Sequence, residues 1–118
     1  MTTATDHELN LEALSKRGEK LGLELQELAG ILGVDQSTFY RWRHGQAAPR
    51  ALAMSRIEQT QELFELLRRL FAGPDLARTW LRTAKPASLG GAATPIDVML
   101  QGRIDRVLAV LHTLASGG

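Results

Sequence analysis

Leu25-Gln-Glu-Leu-Ala-Gly-Ile-Leu-Gly-Val-Asp-Gln-Ser-Thr-Phe-Tyr-Arg-Trp-Arg-His-Gly45 is the stretch that decides how this sequence folds. Its first apolar positions, Leu25, Leu28, Ala29 and Leu32, recur at helical spacing and stop at Gly33, a residue that tolerates the positive φ of a tight turn. Asp35 is a suitable N-cap for a second helix running to His44, and Gly45 is the natural residue to close it. Ala29 is small where the two helices must cross. Leu28, Leu32, Val34, Phe39 and Trp42 are spaced to share one core, with Phe39 and Trp42 on the inner side of the second helix. Together these offsets predict a helix-turn-helix.

That register leaves Gln36, Ser37, Tyr40, Arg41 and His44 on other faces. Gln36 and Ser37 sit at the helix start, which approaches a major groove first. Gln36 can pair with adenine and Arg41 with guanine, each through two hydrogen bonds. Ser37, Thr38, Tyr40, Arg43 and Arg50 suit phosphates or groove walls. The plainer alternative is a small helical core whose polar residues merely face water. Charge distribution favours the first reading: residues 36–50 hold three arginines and no acid, whereas residues 1–35 carry a net −4 and residues 51–118 a net +2.

Upstream, Leu9, Leu11 and Leu14 predict a helix from Glu8 to about Gly18 or Gly22. Downstream, Pro49 bars immediate helix propagation, and a long helix is expected from about Ala51 to Phe71 with a stripe of Ile57, Phe64, Leu67, Leu70 and Phe71. Gly73-Pro74 breaks it. A helix from Pro74 to Arg82 presents Leu76, Trp80 and Leu81, and Lys85 to Ala93 is a loop. Thr94-Pro95-Ile96-Asp97 combines a threonine N-cap, a proline in the first turn and a carboxylate three positions on, a strong helix start. After Gly102, Ile104, Val107, Leu108, Leu111 and Leu114 define a final amphipathic helix leading into a short flexible Ser116-Gly117-Gly118. No strand is convincing, so the expected class is all-α.

The composition narrows the function. With no cysteine there are no disulfides or thiolate metal sites, and His7, His44 and His112 have no ligand spacing. No carboxylate pairs with an obvious base or nucleophile, so neither a catalytic residue nor a cofactor is expected and the chain reads as a non-enzyme. Without a signal peptide or an apolar run long enough to span a membrane, the expected location is cytoplasmic.

The quoted stretch, with its Leu-Ala-x-x-Leu-Gly-Val core and Trp-Arg-x-Gly ending, resembles the Xre (Cro/repressor-like) helix-turn-helix family. Beyond it, Ala77-Arg-Thr-Trp-Leu81, Leu89-Gly-Gly91, Thr94-Pro95-Ile96-Asp97 and Gly102 with Val107 and Leu111 resemble, in order, the C-terminal toxin-binding domain of the antitoxin Xre/MbcA/ParS family. The resemblance implies a helix-turn-helix domain over residues 1–50, then a connecting helix and toxin-binding domain over residues 51–118. It implies a type II antitoxin that binds a cognate RES-domain, NAD-using toxin and its own operator, a double-stranded DNA site. The expected toxin-facing residues are Arg82, Lys85, Arg103, Ser116, Gly117 and Gly118. A homodimer is expected because one helix-turn-helix covers few base pairs and two-fold symmetry presents two. A stand-alone transcriptional regulator without a toxin is the competing reading.

Overall fold

A computed structural model describes residues 10–117, so Glu8 and Leu9 of the expected first helix, His7 and Gly118 lie outside it. Asn10 begins the described fold: its Oδ1 accepts the Ala13 amide at 3.0 Å and caps α1 (Leu11–Lys20). Next is α2 (Leu25–Leu32), whose start is closed by the Glu24 amide donating to Oε1 of Glu27 at 3.0 Å. Gly33, at φ 84°, turns the chain into α3 (Gln36–Arg43), and Asp35 caps it by accepting the Thr38 amide at 2.8 Å. Such a cap contributes on the order of 1 kcal/mol.

The long helix α4 (Ala51–Leu70) follows, then α5 (Pro74–Thr83), a 3₁₀ turn at Ala87–Leu89, α6 (Pro95–Leu100) and α7 (Ile104–Ala115). No strand occurs among the described residues, and the all-α expectation holds. The start of α6 is as its sequence predicts. Thr94 Oγ1 accepts the Asp97 amide at 3.2 Å, and Asp97 Oδ2 accepts the Thr94 amide at 3.3 Å.

One continuous apolar cluster runs from Leu11 to Leu111, and α4 joins its two ends by packing along α7 on one side and against α1 and α2 on another. Being covered from several directions, α4 buries more than a single stripe: Leu63 and Leu66 are enclosed along with Ile57, Phe64 and Leu67, while Leu70 and Phe71 are half-buried. Ile31 is fully buried although a one-sided reading of α2 passes over it, because α2 touches α1, α3, α4 and α6. Leu76 departs in the other direction. Ala77 and Leu81, four residues apart, take the inner face of α5 and leave Leu76 exposed. Leu25 and Leu114 are exposed as well.

Candidate functional site

The turn at Gly33 presents α3 with Phe39 facing inward and fully buried. Val34 and Trp42 are partly buried against the same core. This leaves Gln36, Ser37, Tyr40, Arg41 and His44 exposed, at a spacing that places them on the outer side of the helix. Thr38 is half-buried and Arg50 exposed at the start of α4.

Local contacts orient several of these side chains. Asp35 accepts the Ser37 hydroxyl at 3.1 Å as well as the Thr38 amide, and these bonds, the amide first, hold its carboxyl below the usual range. Arg41 Nη2 donates to Thr38 Oγ1 at 3.4 Å. The Tyr40 and His44 rings stack at 4.0 Å, and His44 Nδ1 lies 2.8 Å from the Tyr40 carbonyl oxygen. Arg43 differs from Arg41: its Nε donates to Glu12 on α1 at 3.3 Å, and its guanidinium lies 5.7 Å from the centre of the Phe39 ring. Arg41 and Arg50 are therefore the more available cations of the expected DNA-facing set.

The residues expected to face a toxin are dispersed. Arg82, on α5, reaches across to the α1–α2 region. It donates to both carboxylate oxygens of Glu27, at 2.9 and 2.7 Å, and to the Gly22 carbonyl at 2.6 Å. The Arg82 hydrogen bond holds the Glu27 carboxyl below its usual range against the opposing effect of burial, and Glu27 in turn raises the Arg82 guanidinium. Lys85 is exposed in the loop after α5. Arg103 pairs with Asp105 through two hydrogen bonds of 3.2 and 3.3 Å. Ser116 and Gly117 continue the end of α7 instead of hanging loose. The Ser116 amide donates to the His112 carbonyl, its hydroxyl to the Thr113 carbonyl, and the Gly117 amide to the Leu114 carbonyl.

Two further positions belong to this half. The Trp80 ring packs 5.9 Å from Phe71, both half-buried, and Leu76, four residues before Trp80 on α5, is exposed. His112 Nε2 meets Glu62 Oε2 at 2.7 Å and ties α7 to α4. The Arg82–Glu27 and His112–Glu62 pairs escape a linear reading, because their partners lie 55 and 50 residues apart. Among the described residues, no group of histidine or carboxylate side chains could hold a metal, and no helix is long and apolar enough to cross a membrane.

Residues 66–117, which run from the last turns of α4 through α7, match the antitoxin Xre/MbcA/ParS C-terminal toxin-binding domain. That stretch is similar to the toxin-binding domain of this antitoxin family. The likeness also extends beyond that domain. The mycobacterial cidal antitoxin MbcA of Mycobacterium bovis is 28% identical over 99 residues, covering 84% of this chain and 85% of the relative. An uncharacterised protein, y4oB, of Sinorhizobium fredii is 28% identical over 105 residues, covering 88% and 80%. Among solved structures, a chain in the crystal structure of the Mycobacterium tuberculosis MbcT–MbcA toxin–antitoxin complex superposes with a TM-score of 0.68 at 26% identity. That match covers 92% of this chain and 96% of the other. It therefore takes in α1 to α3 as well as the family domain. These relatives are antitoxins where characterised, in keeping with a chain that is not an enzyme.

Proposed function

We propose that this protein is the antitoxin of a toxin–antitoxin pair, holding its toxin through the half built from α4 to α7. The observation that carries this reading is the near end-to-end likeness to a chain of the MbcT–MbcA complex, with the toxin-binding family domain at residues 66–117. The finer assignment is a RES-type, NAD-using toxin. Neutralisation would follow if α7, with Ile104, Leu108 and Leu111 anchoring it in the core, directs Leu114 and Ser116 to Gly118 toward the toxin's cofactor cleft. Small residues enter a narrow cleft, and the exposed Leu114 adds apolar contact at its mouth. Lys85 and Arg103 serve at the rim, where charge guides encounter more than it adds affinity. Arg82 acts from behind by holding α5 on the α1–α2 turn.

The second part of the proposal is operator binding by a cytoplasmic homodimer, with α2 and α3 as its helix-turn-helix. Gln36 and Arg41 would read base edges. Ser37, Thr38, Tyr40 and Arg50 would contact backbone or groove walls, and Arg43 would brace α3 against α1. Two copies related by a two-fold axis would meet half-sites about one helical turn apart.

Co-expression with the product of the adjacent reading frame tests the first part. The two proteins should co-purify, and the partner's consumption of NAD should stop as this protein is added. Deleting Leu114 to Gly118 should restore NAD consumption while operator binding survives. A neighbouring product that neither binds nor consumes NAD would favour the stand-alone regulator instead.

A further inference from the structure

Where α1, the end of α4 and the start of α5 meet, the fold leaves a cavity of about 360 Å³, away from the operator-facing side of α3. Its floor is apolar and belongs to the core: Leu21, Phe64, Leu67 and Ala77 are all buried. Phe71 and Pro74 wall its mouth. Arg17, Lys20 and Arg68 line the same cavity and are the charged groups on it. Glu65 offsets part of that charge. Arg68 donates to it through two nitrogens and Arg17 lies 3.5 Å away, so one carboxylate is shared by two arginines. Lys20 makes no ion pair among the described residues. The rim thus keeps an excess of positive charge over an apolar interior.

A half-open apolar cleft of this size with a few polar groups at one position is a usual form of small-molecule site, and such sites favour the seams between parts of a fold. The wall residues come from α1 and its following turn, the end of α4 and the start of α5, so an occupant would touch α1 and α5 at once. We propose that this cavity binds a medium-chain aliphatic carboxylate. The tail lies between Phe71 and Pro74 over the floor formed by Phe64, Leu67 and Ala77, and the head group meets Lys20 with Arg17 and Arg68. The volume suits one tail of roughly eight carbons, whereas a docked protein helix would need a longer open face. A carboxylate fits because the unpaired cation at the rim is compensated by it and not by a neutral head group. Binding is read on the chain alone, so the outcome does not depend on a toxin or an operator.

Isothermal titration calorimetry of the full chain with sodium octanoate tests this, with octanol and sodium acetate as the neutral and tail-less comparisons. Octanoate should bind saturably at one site per chain with the circular dichroism of the protein unchanged. Octanol and acetate should each bind at least about tenfold more weakly, since each lacks one of the two contacts. Lys20→Glu should weaken octanoate about tenfold, while Lys20→Arg should hold it within about threefold, both variants melting like the parent. Equal binding of octanol and octanoate, unchanged binding by folded Lys20→Glu, or no saturable heat with octanoate would each overturn the proposal.

Discussion

Replacing Arg82 with methionine removes the guanidinium but keeps an apolar stem, so it isolates the polar link between α5 and the α1–α2 turn. Three hydrogen bonds are lost, two to the Glu27 carboxylate and one to the Gly22 carbonyl. The Arg82 side chain is 37% exposed and Glu27 21%, so water competes for these groups and the bonds fall well short of fully buried ones. The net loss should be about 1–2 kcal/mol, or a melting point lower by about 3–8 °C. The pH dependence gives a second handle. Arg82 lowers the Glu27 carboxyl from its ordinary 4.5, so its contribution is fully present above that pH and disappears as Glu27 protonates below it. Urea unfolding of parent and Arg82→Met at neutral pH and at steps down to about pH 3 should show a gap that closes on the acid side. Equal stability at neutral pH, or a gap that persists undiminished in acid, would refute the reasoning.

Gly33→Ala should destabilise by about 1–2 kcal/mol, because φ 84° is costly for alanine and the new Cβ would collide with Nη1 of Arg56. In an Arg56→Ala background only the backbone strain should remain, so a larger loss there than in the parent, measured by urea titration, would contradict this account. Arg41→Ala should weaken operator binding by about 1–3 kcal/mol and relax preference at one base pair. Arg43→Ala should act instead through loosening of α3 on α1, seen as lower thermal stability. Titrations at several salt concentrations, beside melting curves, separate the two, and sequence discrimination unchanged by Arg41→Ala would count against its assigned role.

The sequence carries the local part of this fold clearly. Asp35, Thr94 and Pro95 start helices where their chemistry says they should, and Gly33 turns where a positive φ is needed, because each signal is satisfied within a few residues. The inward face of α3 is equally legible from Phe39. What periodicity leaves out depends on how many neighbours a helix has. Ile31 is buried because four helices surround α2, and Leu76 is exposed because Ala77 and Leu81 take the one face α5 buries. Long-range pairing is the other blind spot. Nothing in the spacing of Arg82 points to Glu27, so an exposed basic residue suggests a partner surface when it also serves as an internal strut. Arg43 repeats that lesson with Glu12. The cavity between α1 and α5 is legible only once residues 17–21 and 64–77 are brought together.

If the half from α4 to α7 neutralises a toxin, growth of a bacterial host reads it out. The product of the adjacent reading frame is induced alone, with the full chain, and with the chain lacking Leu114 to Gly118. Arrest is expected in the first culture, restored growth in the second and arrest again in the third, with all proteins present at equal levels. Arrest that the full, folded chain fails to relieve would contradict it.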